Sequence, residues 1–148
     1  REHLKARRQF GRPIAEFQGL QWMLAEMDAA LHASRLMLHE AAQSRGPEGR
    51  FPERTMAARA KLFATQAAIR VVNDALQMHG ARGYGAETPI ERMYRDVRMF
   101  TIGGGTAEVL RTQVAGALLG MPVPQTREGQ ARPAEGEASA LSPAQHSP

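Results

Sequence analysis

The sequence predicts an all-α fold, an antiparallel helical bundle. Apolar residues recur every three or four positions through four segments, which is the spacing of one helix face. Glycine and proline lie between those segments, where helices usually end. No segment shows a competing strand pattern, so we expect no β-sheet.

The first long helix is predicted near residues 17–44. Its apolar stripe repeats at intervals of three, four and seven residues, as in helices that pack in bundles. The stripe consists of Phe17, Leu20, Leu24, Met27, Leu31 and Leu38. Glycine and proline after Arg45 then predict its end.

The second helix is predicted near residues 52–79. Pro52 suits a first helical turn, because the backbone N–H that proline lacks has no partner there. Alanine is abundant along this segment and allows a close approach to a neighbouring helix. Gly80 is the predicted stop.

The third and fourth helices are predicted near residues 89–100 and 106–119. Thr88, Pro89 and Glu91 form a capping-box pattern at the start of the third helix. The fourth begins near Thr106 after three glycines and ends at Gly120. We therefore predict one bundle domain over residues 1–120. Residues 121–148 are poor in large apolar side chains and are predicted to form a disordered tail.

Composition excludes several classes of site. The chain has no cysteine, which rules out disulfides, thiolate metal centres and a thiol nucleophile. No apolar run approaches the roughly 20 residues of a membrane span, and no secretory signal is visible, so a cytoplasmic location is expected. The histidines lack metal-ligand spacing. A net charge of +4 is too weak a signal to predict nucleic-acid binding.

Three segments carry candidate binding features, and each alone has an unremarkable interpretation. Arg7–Gln18 contains arginines beside a Gly-Arg-Pro turn, which suits a phosphate or merely a solvated loop. Gln77–Gly85 contains three glycines in six residues, which suits close ligand approach or a turn between helices. Ile102–Arg111 places a glycine-rich loop before a helix, which suits an anion or a flexible connection.

Taken together and in order, these segments resemble the C-terminal domain of the acyl-CoA dehydrogenase family. The resemblance covers about residues 1–120 and rests on six motifs. They are Arg7–Gly11 with Ile14 and Phe17-Gln18, Met23–Met27, Ala60–Ala64, Gln77–Gly80 with Gly83-Tyr84, Pro89–Asp96, and Gly105–Glu108. Because the chain begins with Arg1 inside a charged helix-like segment, we expect a fragment of a longer protein.

The resemblance implies a flavoprotein oxidoreductase that removes hydrogens from the α and β carbons of an acyl-CoA thioester. FAD is its cofactor, an electron-transferring flavoprotein is its electron acceptor, and it assembles as a homo-oligomer that holds FAD across a subunit interface. Arg7 matches the arginine that meets the flavin pyrophosphate of the neighbouring subunit, with Gln9 and Phe10 as companions. The other matched FAD contacts are Phe17, Gln18, Gln77, Met78, Ala81, Thr106 and Glu108.

Three positions depart from the family pattern. Ala81 replaces a second glycine, and Glu108 replaces a common glutamine. Gly104 stands where many members carry the catalytic glutamate, so no catalytic residue is assigned. The base then lies upstream, as in the isovaleryl and long-chain branches, or the parent enzyme has lost dehydrogenation or takes its base from a partner subunit. The fragment alone is predicted inactive, and a stand-alone helical interaction module is the alternative function.

Overall fold

The computed structural model describes residues 1–45, 49 and 51–123. It confirms the all-α class, and each of the four predicted long helices is present. The helices are α1 (Glu2–Ala6), α2 (Gln18–Gln43), α3 (Arg54–His79), α4 (Ala81–Tyr84), α5 (Pro89–Met99) and α6 (Ala107–Leu119). A 3-10 turn, Ile14–Glu16, precedes α2. In the described part of the chain no helix is long and apolar enough to cross a membrane.

The long helices α2 and α3 form the frame of the domain. The backbone N–H of Glu53 donates to Ser44 Oγ at 2.8 Å, so the end of α2 lies beside the start of α3 and the two helices run antiparallel. Buried positions on α3 include Ala58, Ala60 and Ala67. These small side chains let neighbouring helices approach closely. Helices α5 and α6 also pack against α3, which therefore lies at the centre of the bundle.

Two details of the predicted helix starts are wrong. Helix α3 begins at Arg54 and not at Pro52, because the Glu53 carboxylate caps it by accepting from the Thr55 and Met56 backbone N–H groups. The capping box of α5 does not form. The Thr88 hydroxyl donates instead to the Arg82 carbonyl oxygen (3.2 Å), and the Glu91 carboxylate pairs with Arg95.

The other predicted ends are confirmed. The Thr106 hydroxyl accepts from the Val109 backbone N–H at the start of α6 (3.3 Å). Gly80 ends α3 and Gly120 ends α6, both at positive φ, where glycine avoids the steric cost of a Cβ.

The prediction of no β-sheet is also wrong in one place. Strands β1 (Arg8–Gln9) and β2 (Arg12–Pro13) pair antiparallel, with Arg8 opposite Pro13 and Gln9 opposite Arg12. A strand of two residues is too short to show a periodic pattern. This hairpin connects α1 to the start of α2 and positions the candidate site.

The core at this end of the bundle is small. Leu4, Ile14 and Met78 are buried together, and Leu20 and Leu24 are among the half-buried side chains packed against them. The core therefore joins α1, the 3-10 turn, α2 and the end of α3. The predicted disordered tail falls largely outside the described residues, which end at Val123.

Candidate cofactor-binding site

The hairpin turn is the most unusual backbone feature of the domain. Phe10 and Gly11 form its two central residues, with φ of 51° and 79°. A two-residue hairpin turn with both central residues at positive φ matches the right-handed twist of its strands. Gly11 adopts this conformation readily, whereas a bulky residue such as Phe10 rarely does. Strain of this kind is concentrated at functional sites.

Aromatic contacts fix the hairpin against the start of α2. The Phe10 and Phe17 rings meet edge to face, with centroids 6.2 Å apart. The Arg12 guanidinium lies 4.4 Å from the Phe17 ring centroid, which is within the range of a cation–π contact. Phe10 is nevertheless 90% exposed, and Gln18, the first residue of α2, is also exposed. The hairpin tip therefore presents an aromatic side chain to solvent.

The two adjacent arginines have different environments. Arg8 Nη2 donates to the Gly11 carbonyl oxygen at 2.8 Å and so closes the turn. The Arg7 backbone oxygen accepts from the Ile14 N–H (2.8 Å), which fixes the backbone of Arg7. Among residues 1–45, 49 and 51–123, no hydrogen bond or ion pair engages the Arg7 guanidinium. Its five donors are available to a ligand.

A cleft of about 420 Å³ lies between this segment and the end of α3. It brings together five of the ten residues predicted to bind the cofactor: Arg7, Gln9, Gln77, Met78 and Ala81. Gly80 also lines it at a φ of 57°, and a Cβ built there would meet no atom within 4 Å. We name this space the α1–α3 cleft. Phe10, Phe17 and Gln18 lie outside its lining, at the hairpin tip and the start of α2.

Three basic residues that were not predicted to bind a ligand also line the α1–α3 cleft: His3, His79 and Arg82. The rings of His3 and His79 stack with centroids 4.1 Å apart. Burial lowers the pKa of His3, and the positive fields of His79 and Arg82 lower it further. His3 lies one helical turn before Arg7, and His79 directly follows Met78. Their closeness in sequence to two predicted binding residues was the signal that could have identified both histidines.

Thr106 and Glu108 line a second cleft of about 280 Å³, formed by α3, the end of α5 and the start of α6. The pKa of Glu108 is lowered because its own backbone N–H and the Thr106 hydroxyl donate to the carboxylate. Arg111 lies 3.4 Å from the same carboxylate. The predicted cofactor residues therefore occupy two separate clefts and the hairpin tip.

The glycine loop before α6 is held by a single side chain. Lys61 Nζ on α3 donates to the carbonyl oxygens of Gly103, Gly104 and Gly105 at 2.5, 2.8 and 2.8 Å. Gly104 has a φ of 67°, and a Cβ built there would lie 3.3 Å from that nitrogen. This loop is thus well suited to glycine and poorly suited to a side chain at position 104.

The α1–α3 cleft fits an anionic group such as a pyrophosphate. Its basic side chains are Arg7, Arg82 and the histidine pair, and within the described residues no carboxylate lines it. Arginine binds phosphate oxygens through two parallel N–H donors. Among the described residues, no three His, Cys, Asp or Glu side chains form a group that could hold a metal ion.

Comparisons with known proteins show the family of this chain. Residues 1–119 match the model of the family described as acyl-CoA dehydrogenase, C-terminal domain. The chain is 63% identical over 131 residues to a 3-sulfinopropanoyl-CoA desulfinase of Variovorax paradoxus, covering 88% of this chain and 32% of that protein. It is 40% identical to a short-chain-specific acyl-CoA dehydrogenase of Clostridium acetobutylicum, covering 80% of this chain and 31% of that protein.

A solved structure shares the fold. The butyryl-CoA dehydrogenase of Megasphaera elsdenii superposes with a TM-score of 0.75 at 37% identity, over 80% of this chain and 30% of that one. The chain thus spans about a third of the length of the relatives that it matches.

Proposed function

Because the chain belongs to the acyl-CoA dehydrogenase family, whose C-terminal domain it matches over residues 1–119, we propose that it is the FAD-binding and oligomerisation domain of a longer flavoprotein. The substrate of that protein is an acyl-CoA thioester. FAD is the cofactor of the family, and the side chains proposed to hold it here are the ten predicted above.

The observation that carries the proposal is the grouping of Arg7, Gln9, Gln77, Met78 and Ala81 around one cleft. Arg7 binds the pyrophosphate with its unengaged guanidinium. Gln9 and Gln77 offer amide donors and acceptors to the polar parts of the dinucleotide. The exposed hairpin tip reaches toward the cofactor of a neighbouring subunit. The chemistry that FAD supplies when bound is reversible acceptance of an electron pair beside the acyl chain.

For the reaction of the whole protein we propose desulfination of 3-sulfinopropanoyl-CoA. Two facts support it: identity is 63% to a desulfinase and 40% to a short-chain dehydrogenase, and Gly104 leaves the usual position of the dehydrogenase base empty of a side chain. In the net reaction the bond between the β carbon and sulfur breaks. Carbon keeps the bonding electrons and takes a proton, while sulfur takes hydroxide from water and leaves as sulfite. No external electron acceptor is consumed.

Dehydrogenation is the second candidate, with the base supplied from outside these residues. It is favoured by 37% identity to a butyryl-CoA dehydrogenase over 80% of this chain. That reaction passes two electrons to an external acceptor such as an electron-transferring flavoprotein. Whether an external electron acceptor is consumed therefore distinguishes desulfination from dehydrogenation.

The test uses the purified full-length protein with bound flavin. Incubation with 3-sulfinopropanoyl-CoA in the absence of any acceptor should release sulfite and propanoyl-CoA in equal amounts. Butyryl-CoA with a dye acceptor should give no crotonyl-CoA. The reverse pattern would establish dehydrogenation. The 148-residue chain alone should give neither product, because it spans only about a third of the length of the relatives that it matches.

A further inference from the structure

The family resemblance assigns no cofactor contact to either of the stacked histidines of the α1–α3 cleft. His79 Nδ1 lies 2.7 Å from the Ala75 carbonyl oxygen, to which only a protonated nitrogen can donate. The Met78 backbone acts on the His3 ring in the direction that raises its pKa, against the other effects that lower it. The His79 ring is therefore held by its own helix, and the His3 ring stacks against it.

The charged side chains that lower the pKa of His3 are all basic. Arg82 on α4 and Arg7 after α1 both oppose protonation of His3. Other charged groups on the packed elements are exposed: Lys5 pairs with Glu2 on α1 (3.6 Å), and Glu16 of the 3-10 turn and Arg12 of β2 lie outside the lining of the cleft. Among the described residues, no carboxylate lines the cleft, so no negative side chain there offsets the charge of a proton on His3.

We propose that His3 and His79 are further binding residues of this cleft, and that His3 takes up a proton when the pyrophosphate of a dinucleotide binds beside Arg7. This inference rests on the proposed binding of FAD and adds two protein residues to that binding site. A bound pyrophosphate brings the negative charge that the cleft itself lacks.

The direction of the pH effect follows from linkage. Burial and neighbouring positive charge lower the pKa of His3 while the cleft is free of anion. An anion beside the pair raises that pKa, so the bound form holds more protons than the free form. Affinity therefore increases as pH falls through the raised pKa and levels off below the lowered one. A gap of one pH unit between the two values corresponds to about a tenfold change in affinity.

The experiment is titration calorimetry of FAD into the flavin-free full-length protein at pH 6.5. Two buffers of different ionisation enthalpy give the number of protons exchanged. The wild-type protein should take up a fraction of a proton, and its affinity should be roughly three- to tenfold higher at pH 5.5 than at pH 8. His3→Phe preserves the ring stack without a titrating group, and His3→Gln preserves a neutral side chain with hydrogen-bond donors. Both should bind with little proton uptake and a flatter pH profile.

His32→Gln is the matched control, because His32 is an exposed histidine on α2 outside this cleft. It should keep the wild-type proton uptake. Absence of uptake in the wild-type protein, or unchanged uptake in both His3 variants, would overturn the inference while leaving FAD binding intact. If a His3 variant does not fold, the wild-type proton count and pH profile still decide. Failure of the wild-type protein to bind FAD would overturn the proposed function itself.

Discussion

Arg7 and Arg8 show how two identical neighbours acquire different tasks. The strand pairing of the hairpin places Arg8 so that its guanidinium reaches the Gly11 carbonyl oxygen at 2.8 Å. That contact completes the turn and leaves Arg8 with a structural role. Arg7 precedes the hairpin, and its side chain lines the α1–α3 cleft. The sequence distinguishes the two only through the family resemblance, whereas the structure supplies a physical reason.

We predict that Arg7→Ala in the full-length protein weakens FAD retention by roughly ten- to a hundredfold. This corresponds to the loss of a charge-assisted contact, which is typically worth about 1.5–3 kcal/mol. Arg8→Ala should have a much smaller effect, because its side chain contacts the turn and not the cleft. Flavin content per protein after gel filtration measures both. Equal loss of flavin in the two variants would contradict the assignment.

Gly104 carries a second residue-scale prediction. Its φ of 67° lies in the left-handed region, where a Cβ costs about 1–2 kcal/mol. Gly104→Ala should lower the free energy of unfolding by about that amount. Gly19→Ala is the control, because Gly19 lies in the first turn of α2 and a Cβ added there would have no atom within 4 Å. It should leave stability unchanged or raise it by up to about 1 kcal/mol. Urea denaturation of the full-length protein gives the free energy of unfolding of both variants. Equal effects would show that the loop accommodates a Cβ at position 104 without strain.

At the scale of the element, α3 begins at a carboxylate cap. Glu53 accepts from the Thr55 and Met56 N–H groups at 2.7 and 2.8 Å, and these bonds lower its pKa from an ordinary value near 4.5. A lowered pKa means that the cap stabilises the fold above the unfolded-state value and ceases to do so as pH falls through the folded-state value. The stabilisation is therefore present at neutral pH and disappears in acid.

Glu53→Ala should accordingly lower the melting temperature at pH 7, and its difference from the wild type should shrink as pH falls below about 4.5. Thermal melts followed by circular dichroism between pH 3 and 7 measure this. Glu26→Ala on the exposed face of α2 is the control and should change little at any pH. A constant difference for Glu53→Ala across the range would show that the carboxylate is not the cap.

The long helices could be predicted because their signals are local and repeated. The spacing of Leu20, Leu24 and Met27 and the stops at Gly80 and Gly120 each depend on a few consecutive residues. The hairpin could not be predicted, because two-residue strands have no period and Phe10 is an improbable residue at positive φ. The capping box at Thr88 matched a pattern, but contacts with other side chains and backbone groups replaced it.

The candidate site could likewise be predicted from the sequence only in part. Its motifs were found in sequence. The α1–α3 cleft, however, depends on how α1 packs against the end of α3, and the second cleft depends on how α5 and α6 pack against α3. His3 and His79 illustrate the limit. They stack in space but are far apart in the chain, so no local pattern connects them. Only the fold brings them together.

At the scale of the whole molecule, the described residues contain no large side chain that is fully buried. Several buried positions are alanines on α3, while bulky side chains elsewhere face outward. Trp22 on α2 is 62% exposed, and Leu118 on α6 is 71% exposed. Apolar area exposed over several hundred Å² costs on the order of 10 kcal/mol at about 25 cal/mol per Å². That is comparable to the stability of an entire domain, so these surfaces favour burial against another chain.

We therefore predict that the 148-residue chain is a homo-oligomer at tens of micromolar, with a mass by light scattering well above 16.2 kDa. The double variant Leu118→Lys with Leu119→Lys places two charges on the exposed end of α6 and should shift the chain toward smaller species. Ala115→Lys is the matched control, since it adds a charge at an exposed position of the same helix without removing apolar area. A monomeric wild-type chain would contradict the prediction. Equal dissociation of both variants would mean that charge repulsion, and not loss of apolar contact, controls the assembly.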